Sequence, residues 1–350
     1  MRLSWQRFDL RLRHSWAIAS NAAEGGKNIY PVVFVTLTDS EGVVGLGEAA
    51  PSSRYQENTD TVEAFLRQVD PARLSFRDVS ASRAYLDSLA PGHYPAKSAL
   101  DQALLDGAAR RAGMTVGQML AIPFNEGQHL TSFSIGIAAP REIEAKVHEA
   151  ADFPVLKLKL GTPHDRAMFA ALRRAAPAKR VRVDANEGWQ SKEEALANIE
   201  WLAADGNVEF VEQPMPASSR EEDWRWLKKR SPLPLFADES YHHASDAPRC
   251  AELFHGVNVK LMKTFGITGA NEALRAAGKA GLRTMIGCMI ESSLLITAGA
   301  HLAGLADYLD LDGNLLITND PFQGVRTCCG LLSFAGVTDP HGLRVTPRPG

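Results

Sequence analysis

The chain has 350 residues, of which 45% are hydrophobic and 23% are charged. Its 38 lysines and arginines nearly balance its 41 aspartates and glutamates, which leaves a net charge of −3. This balance argues against a nucleic-acid surface, which would be strongly basic, and makes a small-molecule site the default expectation. The length suits a β/α barrel of about 200–250 residues joined to a smaller second domain.

The chain lacks the signals of export or membrane insertion. Its start, MRLSWQRFDLRLRHSW, has no apolar core of signal-peptide length, and no apolar run reaches about 18 residues. The four cysteines lack zinc-site spacing, and the adjacent Cys328 and Cys329 are expected to be buried small hydrophobes. We therefore expect a cytoplasmic protein with reduced thiols and with no membrane or nucleic-acid partner.

The first 125 residues read as an α+β unit. Residues 31–49 contain two apolar runs around the turn signal Asp39–Gly42, which predicts a β-hairpin. Residues 60–120 read as helices, and the clearest is the alanine-rich segment 96–113 closed by Gly113.

After residue 130, short apolar runs alternate with helical segments. Eight runs are strand candidates: 131–137, 155–160, 181–186, 208–214, 235–240, 257–262, 284–292 and 306–312. Strand–helix alternation predicts a parallel sheet, and eight units predict closure into a barrel over 126–321. An open doubly wound sheet is the weaker alternative, because no GxGxxG opens a helix after the first strand. Residues 322–350 are expected to pack back on the first domain.

Five ionisable residues recur at the carboxyl ends of five successive strand candidates. They are Lys159, Asp184, Glu212, Asp238 and Lys260, separated by 25, 28, 26 and 22 residues. Each gap is about one βα unit, so the five side chains are expected to meet at the mouth of the barrel, where active sites form. Polar groups inside apolar strands cost free energy unless they are satisfied, which favours a functional interpretation.

The residue types indicate the chemistry. Three converging carboxylates repel one another unless a cation neutralises them, and oxygen ligands alone favour Mg²⁺ or Mn²⁺ over zinc. Lys159 and Lys260 would face each other across the metal. A lysine beside a cation and another lysine has a lowered pKa, so two opposed amines can remove a proton on one side and return it on the other.

Structural interpretations exist for single residues. Any one of the three acids could cap a helix at a strand–helix junction, and Lys157 with Lys159 could form a solvated face of a strand. Lys263 is expected to face away from Lys260. Glu291 suits either a helix cap or a residue that supports the metal ligands.

The segments around these residues resemble the enolase superfamily, muconate-lactonizing subgroup. They are Lys157–Lys159, Asp184–Asn186, Glu212–Pro214, Asp238–Ser240 and Asn258–Lys260, together with Gly47–Ala49 and the helix at 96–112. The resemblance implies a modified TIM barrel, (β/α)7β, under an α+β capping domain. It further implies Asp184, Glu212 and Asp238 as ligands of one Mg²⁺ per subunit, supported by Asn186. Lys159 and Lys260 would be the acid/base pair, with Lys157 stabilising an enolate.

Asp310-Leu311-Asp312 is similar to the DxD motif of dipeptide epimerases, in which the pair binds the substrate's α-ammonium group. Two carboxylates suit that role, although Asp-Gly at 312–313 is also a turn signal. The resemblance thus implies an enzyme that inverts the C-terminal residue of L-Ala-D/L-Glu or a related dipeptide and that forms a homo-oligomer.

Substrate specificity is expected from two capping-domain segments, 14–29 and 51–58. Gly25-Gly26 suits a mobile lid. Arg54 or Lys27 could bind a glutamate side chain. The apolar stretch 16–18 is compatible with an apolar substrate instead.

Other functions compete with this interpretation. An o-succinylbenzoate synthase or N-succinylamino acid racemase would use the same lysines and metal, but would need no ammonium site. Sugar-acid dehydration is less favoured, because the His/Asp pair expected for it is not evident on strands six and seven of the barrel. A non-catalytic binding barrel would not need the complete set of ligands and lysines.

Overall fold

A computed structural model describes residues 1–349 and begins with an antiparallel sheet. Its strands lie in the order β1 Arg2–Trp16, β2 Lys27–Thr38 and β3 Val44–Ala49. The predicted hairpin is confirmed, since β2 and β3 pair antiparallel with Thr38 opposite Val44. Four helices follow the sheet: α1 Thr59–Leu66, α2 Val79–Leu89, α3 Tyr94–Arg111 and α4 Val116–Met119.

Eight parallel strands then form one sheet in sequential order. They are β4 Phe133–Ile135, β5 Val155–Lys159, β6 Arg180–Asp184, β7 Val208–Glu212, β8 Leu235–Ala237, β9 Gly256–Val259, β10 Arg283–Gly287 and β11 Tyr308–Asp310. The ring closes between its ends, where Thr131 bridges Leu309 in parallel and the Ser132 amide donates to the Leu309 carbonyl at 3.1 Å. The predicted barrel is confirmed.

Seven helices connect these strands. They are α5 Pro140–Glu149, α6 Asp165–Ala175, α7 Lys192–Ala203, α8 Glu221–Arg230, α9 Ala247–Leu253, α10 Gly266–Lys279 and α11 Ser293–Ala300. A 3-10 turn at Gly313–Leu315 follows β11 in place of an eighth helix, so the arrangement is (β/α)7β as the resemblance implied. The remaining strands form two small antiparallel pairs: β12 Phe322–Gln323 with β15 Thr346–Pro347, and β13 Arg326–Cys328 with β14 Leu331–Ser333.

An aromatic layer fills the barrel below its mouth. Phe210 and Phe236 stack at 4.1 Å between ring centroids, and Tyr308 packs edge-on against both. Side chains two residues apart on a strand point the same way, so each phenylalanine lies directly beneath an acid of the mouth, Glu212 or Asp238. The charged layer therefore rests on a layer of packed aromatic rings.

The capping domain packs on the barrel through buried carboxylates. Glu48 at the end of β3 accepts hydrogen bonds from the Ser292 amide at 3.0 Å and from the Leu295 amide at 3.3 Å, so it satisfies the amino end of α11. From the C-terminal segment, the Leu343 amide donates to Asp106 of α3 at 2.7 Å. The boundaries 1–125, 126–321 and 322–350 stay predictions.

The cysteines are unpaired, but one expectation about them is wrong. Cys328 and Cys329 are exposed rather than buried, because they lie at the turn of the β13–β14 pair, outside the core. In residues 1–349 no helix has both the length and the apolar character needed to cross a bilayer.

Two glycines allow α3 to lie directly on β3. A Cβ atom on Gly45 would stand 2.0 Å from the Ala103 carbonyl oxygen, and one on Gly47 would stand 1.9 Å from that of Ala99. Backbone fills both spaces, so neither clash can be relieved by a side-chain rotation. The alanine-rich helix and the glycine-rich strand thus require each other.

Replacing Gly47 by alanine should lower the free energy of unfolding by about 2 kcal/mol or more, because α3 must move off the sheet. Chemical denaturation measures the change. The matched control is Gly278→Ala in α10, where a Cβ meets nothing within 4 Å and the variant should be as stable as the parent or slightly more stable. Equal stabilities of both variants would contradict this packing argument.

Candidate active site

Three carboxylates meet at the mouth of the barrel. Asp184 and Glu212 end β6 and β7, and Asp238 directly follows β8. One oxygen from each lies within 4.8 Å of the others, and all three residues are buried. The parallel register explains the meeting, since Lys159 pairs with Asp184 and Asp184 pairs with Glu212 across adjacent strands.

Neighbouring groups orient the three acids. The Asn258 side-chain amide donates to Glu212 Oε1 at 2.8 Å, while Gln213 Oε1 accepts the Asp238 backbone amide at 2.9 Å. Glu212 Oε2 accepts no aligned hydrogen bond, although Lys157 Nζ lies 2.8 Å away. A buried oxygen without an aligned donor is suited to a ligand from outside the chain.

Crowding of the charges shifts the pKa of each acid. Burial and the negative charge of Asp184 raise the pKa of Glu212 to about 7. Burial also opposes ionisation of Asp238, but the Lys260 and Lys263 ammonium groups outweigh it and hold its pKa well below the usual range. The donor set, three carboxylates and no nitrogen or sulfur, fits a hard divalent cation.

Two lysines approach this triad from different strands. Lys159 Nζ, at the end of β5, lies 2.6 Å from Asp184 Oδ2. Lys260 Nζ, directly after β9, lies 2.7 Å from Asp238 Oδ2. Since β5 and β9 flank the three ligand-bearing strands in the sheet order, the amines stand on opposite sides of the carboxylates.

The expectation that Lys263 faces away from Lys260 is wrong, because Lys263 also reaches Asp238. Its Nζ donates to the Asp238 carboxylate and, at 2.5 Å, to the Asp238 carbonyl oxygen. The 3-10 turn Leu261–Lys263 after β9 bends the chain back toward the barrel, which the strand spacing alone does not reveal. Asp238 therefore has two lysine partners.

Lys157 lies at the centre of the charge network. Its amine donates to Asp310 Oδ2 at 2.6 Å and lies 2.8 Å from Glu212 Oε2 and 3.2 Å from Asp184 Oδ2. Lys157 and Lys159 are two residues apart on β5, so their side chains point to the same face and both enter the mouth. The solvated-face interpretation of these lysines is wrong, because each is more than 90% buried.

Asp310 ends β11, and Asp312 lies two residues beyond it at the mouth of the barrel. Asp310 also accepts a hydrogen bond from the Ser132 hydroxyl at 2.7 Å, and Lys157 overcomes the effect of burial to lower its pKa to about 2. Asp312 accepts the Ser134 amide at 2.5 Å, and burial and the Asp310 charge raise its pKa to about 7. Asp310 thus pairs with Lys157, whereas no lysine, arginine or histidine within residues 1–349 forms an ion pair with Asp312.

A cavity of about 520 Å³ joins these residues to the capping domain. Arg54 and Lys27, the two candidate cations for a substrate side chain, both line it. Arg54, however, binds Glu187 through two hydrogen bonds of 2.6 and 2.8 Å, so its guanidinium is already engaged. The expectation that Arg54 is free for a substrate side chain does not match this contact.

Of the two residues expected to support the ligands, Asn186 contacts one of them. The Asn186 backbone amide donates to Asp184 Oδ1 at 2.9 Å, and its side chain donates to Glu239 Oε1 at 3.3 Å. Glu291 is buried and accepts the Met289 amide at 2.9 Å. The N-cap of α11 is Ser292, so the helix-cap interpretation of Glu291 is wrong.

Sequence reasoning missed two residues of this site. Tyr55 lines the cavity together with Asp238 and Lys260, and it carries no motif beyond its place in the segment 51–58. Glu187 has φ +65°, and only its position just past the β6 acid could have drawn attention to it.

Comparisons with known proteins agree with this geometry. Residues 12–121 match the mandelate racemase/muconate lactonizing enzyme N-terminal domain, and residues 140–315 match the enolase C-terminal domain-like family. Fold and site together define an isomerase of the racemase and epimerase class. The chain belongs to the mandelate racemase/muconate lactonizing enzyme family of the enolase superfamily.

Particular relatives are epimerases. The chain is 57% identical to an L-Ala-D/L-amino acid epimerase of Pedosphaera parvula over 97% of this chain and 98% of that one. The substrate-liganded L-Ala-D/L-Glu epimerase of Bacillus subtilis superposes with a TM-score of 0.91 at 28% identity, covering 99% and 98% of the two chains. A dipeptide epimerase of Enterococcus faecalis, complexed with Mg and L-Leu-L-Tyr, gives 0.87 at 27%, covering 99% of each.

Millimolar MgCl₂ should raise the midpoint of thermal unfolding by about 2 °C or more, because a ligand that binds only the folded triad stabilises it. Asp184→Asn and Glu212→Gln should each lose most of that rise. Glu57→Gln changes a carboxylate that lines the same cavity outside the triad and should keep it. If MgCl₂ raised the unfolding midpoint of Glu212→Gln as much as that of the parent, the assignment of Glu212 as a metal ligand would be contradicted.

Proposed function

We propose that this chain is a Mg²⁺-dependent dipeptide epimerase that inverts the α-carbon of the C-terminal residue, of L-Ala-D/L-Glu or a related dipeptide, by 1,1-proton transfer through an enolate. Its relatives include epimerases of L-Ala dipeptides, and a similar structure holds a dipeptide. The expected homo-oligomer and cytoplasmic location stay predictions.

One observation carries the proposal: two buried amines contact the carboxylate triad from either side in the strand order, Lys159 at the end of β5 and Lys260 directly after β9. One lysine, as the neutral amine, takes the α-proton from one face of the substrate. The other, as the ammonium, gives a proton to the opposite face, so no proton is gained or lost. Inversion in both directions requires that each lysine can hold either state.

The charges around Lys260 explain the need for a cation. Burial opposes the ammonium form, but Asp238 outweighs it and raises the pKa of Lys260 well above the usual range, so the amine is a poor base while it neutralises this acid. Asp184, Glu212 and Asp238 would hold Mg²⁺. When bound, the ion would offset the charge of the triad and the negative charge that develops on the substrate carboxylate. With the charge of Asp238 offset in this way, Lys260 would be able to accept a proton.

Asp312 supports a substrate with a free amine. Its carboxylate lies near Asp310, whose charge Lys157 already balances, and within residues 1–349 its Oδ1 has one hydrogen-bond donor, the Cys288 thiol at 3.8 Å. A substrate ammonium group placed here would supply the missing positive charge. An N-succinyl substrate would instead bring a carboxylate to an anionic position, which disfavours the N-succinylamino acid racemase alternative.

Lys159→Ala and Lys260→Ala should each abolish stereoinversion of L-Ala-L-Glu or L-Ala-L-Leu, because each variant lacks the proton donor or acceptor on one face. In D₂O with MgCl₂, each should exchange the α-proton of one epimer at most, as followed by NMR. Lys192→Ala, on α7 and paired with Asp223 outside the barrel, should retain activity. Inversion at the parental rate in either site variant would exclude the two-base mechanism.

Asp312→Asn should raise KM for the dipeptide by about tenfold or more, since an ionic hydrogen bond to the ammonium group is lost. N-acetyl-L-Ala-L-Leu should be a poor substrate of the parent. Steady-state kinetics on both substrates checks this. Preferred turnover of the N-acylated compound would instead support an N-acylamino acid racemase.

A further inference from the structure

Two bidentate ion pairs join the capping domain to the barrel: Arg83 with Glu272 between α2 and α10, and Arg54 with Glu187 beside the cavity. Arg54 Nε and Nη2 donate to the two Glu187 carboxylate oxygens at 2.6 and 2.8 Å. The partners are 133 residues apart, one on the segment 51–58 above the cavity and the other on the loop after β6. Bidentate arginine–carboxylate pairs fix orientation as well as supplying attraction.

Glu187 is held rigidly for this contact. Its backbone amide donates to the Gln213 carbonyl at 2.9 Å, and its Oε1 also accepts the Ala217 amide at 2.7 Å. Its φ of +65° lies in the left-handed region, which a glutamate adopts at a cost. Its side chain is only 16% exposed, so leaving it without a cation would be unfavourable.

Arg54 belongs to a short 3-10 turn, Ser53–Tyr55, which Ser52 caps by accepting the Arg54 amide. The next residue, Tyr55, lines the cavity beside Asp238 and Lys260 and packs edge-on against His242 at 5.5 Å between ring centroids. Holding the Arg54 guanidinium on Glu187 therefore also holds the Tyr55 ring over the reacting end of the cavity.

We propose that Arg54 and Glu187 form a latch that keeps the segment 51–58 closed over the barrel and withholds the Arg54 charge from the substrate. The cavity then selects dipeptides whose C-terminal side chain is apolar rather than acidic. The specificity half of this inference rests on the proposed epimerase function; the latch itself does not.

The rest of the lid side of the cavity agrees with an apolar side chain. Trp16, Ile18, Ile29 and Tyr30 of the capping domain line it, and Ile290 of the barrel lies in the same cavity. The other lid cation in the lining is Lys27, and the lining also includes Glu24 from the same segment. An acidic side chain would have to draw Arg54 away from Glu187 and leave that carboxylate unpaired, which disfavours it.

Specificity is tested by the ratio of kcat/KM for L-Ala-L-Leu to that for L-Ala-L-Glu. The parent should favour the leucine substrate by about tenfold or more. Glu187→Gln frees the Arg54 charge. It should lower this ratio by about tenfold, because kcat/KM for L-Ala-L-Glu rises. The double variant Arg54→Gln/Glu187→Gln, which removes both charges, should return to a ratio within about threefold of the parent.

Three results would overturn the specificity half: a parent that prefers L-Ala-L-Glu, an unchanged ratio in Glu187→Gln, or selective loss of L-Ala-L-Glu in the double variant. The last would make Arg54 the receptor of the substrate carboxylate. Arg67→Gln serves as the control, because it breaks the exposed pair with Glu63 within the capping domain and should leave the ratio unchanged.

Hydrogen exchange tests the latch without any substrate. Amides of 51–58 should exchange about tenfold faster in Glu187→Gln and in the double variant than in the parent or Arg67→Gln. Parental rates in both latch variants would overturn it. If the parent epimerises no dipeptide, the proposed function fails, while the exchange rates still decide whether the latch exists.

Discussion

The mutual neutralisation of three carboxylates and their lysines in one buried volume is the constraint on which the rest of the structure depends. Asp184, Glu212 and Asp238 lie too close together to be ionised without nearby positive charge. Lys157, Lys159 and Lys260 supply that charge here through contacts of 2.6–3.2 Å. Removing one partner would leave an unpaired charge in a dry site, which is strongly destabilising.

This charge balance also gives the site its chemistry. While Lys260 neutralises Asp238, its pKa is held well above the usual range and it is a poor base. In the proposed function, a divalent cation on the triad would be an alternative source of positive charge and would leave Lys260 free to exchange protons with a substrate. Binding of the ion and activation of this lysine would therefore be coupled.

The barrel and the triad could be predicted from sequence because they follow from a repeat. Each βα unit returns the chain to the same level, so Lys159, Asp184 and Glu212 at strand ends must be neighbours once the strands pair in register. Lys263 could not be placed this way, since a 3-10 turn reverses its direction. The pairing of Arg54 with Glu187 could not be predicted either, because Glu187 adopts a left-handed backbone conformation and lies far from Arg54 in the sequence.

The claim on which everything rests is that Lys159 and Lys260 approach one substrate carbon from opposite faces while the triad holds a metal. Anomalous diffraction from crystals soaked with Mn²⁺ and an L-Ala dipeptide tests it directly. We predict one Mn²⁺ peak among Asp184, Glu212 and Asp238, with the two amines on opposite sides of the C-terminal α-carbon. A metal peak elsewhere, or both amines on the same side of that carbon, would contradict the account.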